Sequence, residues 1–66
     1  MSEKAARIAE IERRIAIIRD NIRELTEQAA AVTGIAAEDA TADRIAAQEQ
    51  ELAELIRTRE TLAAQS

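Results

Sequence analysis

A seven-residue repeat of aliphatic side chains runs through the first half of the chain. The repeat positions alternate in spacings of three and four: Ile8, Ile11, Ile15, Ile18, Ile22, Leu25, Ala29 and Val32. Because an α-helix turns once in about 3.6 residues, these side chains form one narrow stripe along a helix. A stripe of this regularity is typical of the seam of a coiled coil or helical bundle. The repeat therefore predicts a long helix that packs against another helix.

Composition extends this prediction to the whole chain. The sequence has no proline, a single glycine and no aromatic residue, and it is rich in alanine, glutamate, arginine and glutamine. These residues favour helix, whereas strands are enriched in aromatic and β-branched residues. We therefore predict an all-α fold in a single domain of residues 1–66, and chains this short usually need oligomerisation or another staple for stability.

The only glycine marks the predicted reversal of the chain. Gly34 follows β-branched Val32 and Thr33 and precedes Ile35, an arrangement typical of a glycine helix cap. The alternative is one continuous helix of about 60 residues with Gly34 inside it, at a cost of about 1 kcal/mol. That alternative places the continued repeat on Ala36, Asp39, Asp43 and Ala46. We therefore predict a long antiparallel hairpin that turns at Gly34 and Ile35, with helix one over about residues 3–33 and helix two over about 37–65.

The second helix carries a different and more polar stripe. Ser2 is the predicted N-cap of helix one, and helix two is predicted to begin between Ala36 and Thr41, capped by Asp39 or Thr41. Its predicted stripe contains Ile45, Gln48 or Glu49, Leu52, Leu55 with Ile56, Arg59, and Leu62 with Ala63.

Both helices are apolar over a wider face than a two-helix contact needs. Alanines flank the two stripes at Ala5, Ala9 and Ala16 and at Ala42, Ala46 and Ala53. Isoleucine at both core positions of the repeat also favours three- or four-helix cross-sections. We predict a homodimeric four-helix bundle. The predicted interface contains Ile8, Ile11, Ile15, Ile18, Ile22, Leu25, Val32, Ile45, Leu52, Leu55, Ile56 and Leu62.

Charge supports the hairpin, because the net charge of −4 falls on the second half of the chain. Folding about Gly34 predicts that Arg14 lies near Glu54 and Arg19 near Glu49, and such pairs select register more than they stabilise.

Catalytic and metal-binding chemistry is not indicated. With no cysteine and no histidine, the usual zinc, haem and iron–sulfur ligand sets are missing. Asp39, Thr41 and Asp43 have the spacing of a calcium loop, but Arg44 and Gln50 stand where that loop needs glycine and glutamate. We predict a non-enzymatic protein without cofactor or metal.

The predicted function is therefore association: a module that pairs with itself and scaffolds, adapts or inhibits a larger protein. Its candidate partner surface comprises Ile17, Glu49, Glu51 and Glu54. The hairpin resembles the Rop family of plasmid RNA-binding regulators in topology and length, which implies nucleic-acid binding as an alternative. The candidate contacts are then Arg13, Arg14, Arg19 and Arg23. A small acidic viral inhibitor of a host enzyme is a further alternative.

The sequence also bears on location. Charges interrupt every apolar run, so no membrane span is predicted. The N-terminus lacks a secretory signal, which predicts a cytoplasmic location.

Overall fold

The protein folds as a hairpin of two antiparallel helices. The computed structural model describes residues 2–31 and 35–65, except for the side chains of residues 35–38. Helix α1 spans Glu3–Ala31 and helix α2 spans Ile35–Ala64. The two pack side by side along their length, and the Cα atoms extend over 50 × 16 × 11 Å. The all-α hairpin prediction is confirmed, and the single continuous helix is excluded.

Helix α1 begins at the predicted cap. The Ser2 hydroxyl oxygen accepts a hydrogen bond from the Ala5 backbone N–H at 3.1 Å, and the Ser2 carbonyl accepts one from the Ala6 N–H at 3.1 Å. The side chain thus satisfies a donor that the helix itself leaves unpaired. Glu3 lies in the first turn, where a carboxylate interacts favourably with the helix dipole.

Helix α2 begins earlier than the sequence predicted. Ile35, which was placed in the turn, is the first residue of α2, and Asp39 and Thr41 lie inside the helix. Their assignment as caps was therefore wrong. Alanine has the highest helix propensity, and alanines occupy much of residues 35–47, so the helix extends back through this segment. The predicted cap at Gly34, with Val32 and Thr33, falls outside the described residues.

The core between the helices is thin. The described residues that are buried are Ile15, Ile18 and Leu62, with 3%, 2% and 8% of their surface exposed. The other large aliphatic residues of the two stripes are half-buried. In the described part of the chain, neither helix is long and apolar enough to cross a membrane.

Candidate association surface

The stripe of α1 faces α2 throughout its described length. Ile15 and Ile18 are buried at its centre, and the flanking repeat positions are half-buried: Ile8, Ile11, Ile22, Leu25 and Ala29. Residues between repeat positions are exposed. The stripe prediction for α1 thus agrees with the burial pattern, and Val32 lies outside the described residues.

The stripe of α2 follows the same seven-residue repeat with polar members. The half-buried or buried positions at alternating spacings of four and three are Thr41, Ile45, Gln48, Leu52, Leu55, Arg59 and Leu62. Gln48 occupies the seam and Glu49 is exposed, which decides between the two candidates. Ile56 is half-buried beside the stripe, and Ala63 is exposed. Thr41 was missed because it was considered as a cap, although its spacing of four before Ile45 was the signal.

Lys4 extends the α1 stripe by one further position, which the sequence analysis also missed. Its side chain is half-buried, and its Nζ donates a hydrogen bond to the Gln65 backbone carbonyl. This contact places a cation beside the C-terminal end of α2, where the helix dipole is negative. The start of α1 and the end of α2 therefore lie together at one end of the hairpin.

The hairpin has two broad faces, one on each side of the seam, and they differ in chemistry. We label the repeat from a to g, with Ile8 and Ile45 at position a. In an antiparallel pair, positions e of the two helices lie on one side and positions g on the other. The aliphatic flank is defined by positions b and e: Ala5, Ala9, Glu12, Ala16, Arg19, Arg23, Thr26 and Ala30 of α1, and Asp39, Ala42, Ala46, Glu49, Ala53, Ile56, Glu60 and Ala63 of α2.

The charged flank is defined by positions c and g. It contains Glu3, Arg7, Glu10, Arg14, Ile17, Asn21, Glu24, Gln28 and Ala31 of α1, and Ala40, Arg44, Ala47, Glu51, Glu54, Thr58 and Thr61 of α2. One interhelical ion pair marks each flank. Arg14 and Glu51 are 2.9 Å apart on the charged flank, and Glu12 is 3.9 Å from Arg59 on the aliphatic flank.

These pairs correct the predicted register of the charges. Arg14 bonds Glu51, which lies one helical turn before the predicted Glu54. The reason is geometric: Glu51 occupies position g, next to the seam, whereas Glu54 at position c lies farther from α1. Among the described residues, Arg19 and Glu49 form no ion pair with each other, although both are exposed on the aliphatic flank.

The arginines proposed for nucleic-acid contact do not form one positive surface. Arg14 lies on the charged flank with Glu51, whereas Arg19 and Arg23 lie on the aliphatic flank. Arg23 is paired with Asp20 at 3.1 Å, one turn away on α1. Arg13 lies at position f, which points away from α2. Phosphate binding gains most from clustered and unpaired cations, and this arrangement lacks that clustering.

The candidate partner residues are also divided between the flanks. Ile17 is 51% exposed and shares the charged flank with Glu51 and Glu54. Glu49 lies on the opposite flank. The four residues therefore cannot contact one partner surface of ordinary size together, and the charged flank holds three of them.

The charged flank contains a shallow groove of about 350 Å³ between the helices. Leu25 and Ala47 form its apolar part, and the polar residues around it are Asn21, Glu24, Gln28, Arg44 and Gln48. A second depression of about 570 Å³ lies along α2, beside Glu54, Arg57, Thr58, Thr61 and Leu62.

The three residues with the spacing of a calcium loop lie within α2 and form no loop: Asp39, Thr41 and Asp43.

Comparison of the chain with protein-family models, curated proteins and solved structures finds no match.

Proposed function

We propose that this protein is a non-enzymatic association module that pairs with a second copy of itself to form a four-helix bundle. In that form it scaffolds, adapts or inhibits a larger protein. The observation that carries the proposal is the incomplete burial of its seam. Most of the described large aliphatic residues on the two stripes are only half-buried in the hairpin, although they repeat with the regularity of a bundle core.

The exposed area supports the same proposal. The hairpin has a solvent-accessible surface of 4982 Å². A compact monomer of 7.2 kDa exposes about 4100 Å² by the usual scaling of surface with mass. The excess of about 900 Å² reflects the elongated shape of the hairpin, whose Cα atoms extend over 50 × 16 × 11 Å. Pairing with a second copy would cover part of this surface.

Residue choice points to a four-helix cross-section. Isoleucine occupies consecutive a and d positions of α1, at Ile8, Ile11, Ile15, Ile18 and Ile22. This choice disfavours isolated two-helix contacts and favours three or four helices around a common core. Two identical hairpins supply four helices with the fewest components, and closed two-fold dimers are the commonest oligomers.

The dimer is tested by sedimentation equilibrium over a range from low micromolar to millimolar protein, with circular dichroism on the same samples. We expect a largely helical protein whose mass approaches twice 7.2 kDa as concentration rises. A mass of one chain at every concentration would overturn the proposal. A salt-dependent mobility shift of labelled RNA or DNA would instead favour the regulator suggested by the resemblance to the Rop family.

A further inference from the structure

We propose that the second copy docks on the aliphatic flank, with α1 of each subunit against α2 of the other. This inference rests on the proposed dimer and specifies the face, the occupant and the pairing of the helices. The charged flank, with Ile17 and the groove beside Leu25, then stays on the outside of the bundle.

The half-buried seam residues favour this face. Position a of the repeat lies on the side of the aliphatic flank, and its described members include Ile8, Ile22, Ile45 and Leu52, all half-buried. Ile56 at position e adds another half-buried side chain on the same side. Arg59 is a charged member of position a. The d positions border the charged flank; their half-buried members are polar Lys4, Thr41 and Gln48 and aliphatic Ile11, Leu25 and Leu55. Among the described residues, five half-buried isoleucine and leucine side chains thus lie on the side of the aliphatic flank and three on the other side. A second copy therefore covers more aliphatic surface on the aliphatic flank.

The dimensions of the flank fit one further hairpin. The broad face of the hairpin extends over 50 × 16 Å between Cα atoms. This face measures about 800 Å² in projection, so it is large enough to hold an interface of standard size, in which each partner buries roughly 800 Å² of accessible surface. Ala9, Ala16, Ala46 and Ala53 carry no side chain beyond Cβ, so helices of a second copy can reach the normal packing distance of about 8–10 Å.

Charge indicates which helices pair across the interface. Helix α2 carries the acidic excess of the chain, so placing α2 against α2 of the partner would bring like charges together. Placing α1 against α2 avoids this repulsion. Because the neighbours in the bundle then remain antiparallel, Arg19 faces Glu49 of the partner subunit. This pairing accounts for two exposed, opposite charges that form no ion pair with each other within one hairpin.

The docking face is tested with two adjacent alanines that are both exposed in the hairpin. Ala46 lies on the aliphatic flank and Ala47 on the charged flank, so Ala46→Arg and Ala47→Arg make the same chemical change in the same helix. Overpacking an interface costs enough to raise the dissociation constant about ten- to a hundredfold. We expect that rise by sedimentation equilibrium for Ala46→Arg, and an unchanged constant for Ala47→Arg, with equal helicity by circular dichroism.

The pairing of the helices is tested by charge reversal and mixing. Arg19→Glu and Glu49→Arg should each weaken the homodimer, and an equimolar mixture should form heterodimers in excess of the statistical proportion. Each variant carries like charges at positions 19 and 49, so both contacts between the subunits of its homodimer are repulsive. In the heterodimer, both contacts join opposite charges. Arg44→Glu mixed with Glu54→Arg gives the same net charges on the charged flank and should show a smaller preference.

Each outcome bears on a separate statement. A monomeric wild-type protein would overturn the proposed dimer. A dimer that tolerates Ala46→Arg and is disrupted by Ala47→Arg would keep the dimer and overturn the docking face. Normal disruption by Ala46→Arg, with no excess heterodimer over the control mixture, would overturn the pairing of α1 with α2.

Discussion

The two helices contribute unequally to their common seam. The described stripe of α1 is aliphatic from Ile8 to Ala29, whereas the stripe of α2 includes Thr41, Gln48 and Arg59. Among the side chains that the structure describes, α1 supplies two buried ones, Ile15 and Ile18, and α2 supplies one, Leu62. The difference indicates a division of roles. Helix α1 provides most of the apolar area, and polar groups on α2 restrict the ways in which the two stripes can slide against each other.

Substitution at the buried centre of α1 should have the largest effect on stability. It tests most directly whether α1 provides most of the apolar area of the seam. Ile18→Asp places an unpaired carboxylate at a position that is 2% exposed, and we expect a loss of about 3–5 kcal/mol in the free energy of unfolding. A domain of this size has little more to lose, so the helical signal in circular dichroism should fall at 25 °C.

Ile17→Asp is the matched control, because Ile17 is the preceding residue and is 51% exposed. An exposed substitution of this kind should change stability by less than about 0.5 kcal/mol. If the two variants unfold at the same denaturant concentration, α1 does not pack through the assigned stripe.

Arg59 offers a test of the role assigned to α2. Its side chain is 31% exposed at a core position, with Glu12 3.9 Å away. Because a Leu would bury apolar surface without desolvating a charge, we expect Arg59→Leu to stabilise the protein by about 1 kcal/mol in urea denaturation. We also expect a broader distribution of oligomers by sedimentation velocity, since a polar core group that restricts register has been removed.

Arg57→Leu provides the control, because Arg57 is exposed on α2 and lies off the stripe. It should leave the midpoint of unfolding nearly unchanged. A loss of stability on Arg59→Leu would show instead that the ion pair with Glu12 stabilises the hairpin more than the added apolar contact.

The ion pair between Arg14 and Glu51 carries the smallest predicted effect. Both side chains are substantially exposed, and the guanidinium lies 2.9 Å from the carboxylate. A double-mutant cycle with Arg14→Ala and Glu51→Ala should give a coupling free energy of about 0.2–1 kcal/mol, which decreases in high salt. The same cycle with Arg14→Ala and Glu54→Ala should give no measurable coupling, and the reverse result would restore the register predicted from sequence.

Hydrophobic periodicity predicted more of this fold than local charge or capping signals did. The α1 stripe and the change of register in the second half follow from the spacing of large aliphatic residues, because burial of these residues dominates helix packing. The antiparallel arrangement follows from this change of register together with the single glycine between the two stripes. The start of α2 and the partner of Arg14 were less predictable. Several acidic residues near residue 39 can cap a helix equally well, and long surface side chains can reach more than one neighbour.

The candidate site was predictable as a set of residues but not as a surface. Sequence identified Ile17, Glu49, Glu51 and Glu54 individually, whereas the structure separates Glu49 from the other three. The flank on which Glu49 lies is decided by its position in the seven-residue repeat of α2. That position depends on whether residue 48 or residue 49 occupies the seam. Gln48 is half-buried and Glu49 is exposed, which shows that residue 48 occupies the seam.

The contact between Lys4 and the Gln65 carbonyl also has a topological consequence. A polypeptide joined ahead of Ser2 and another joined after Gln65 would depart from the same tip of a rod 50 Å long. Two attached proteins would thus be held side by side, far from the end of α1 at Ala31 and the start of α2 at Ile35. In such a fusion the hairpin would hold the two attached proteins next to each other and would not separate them.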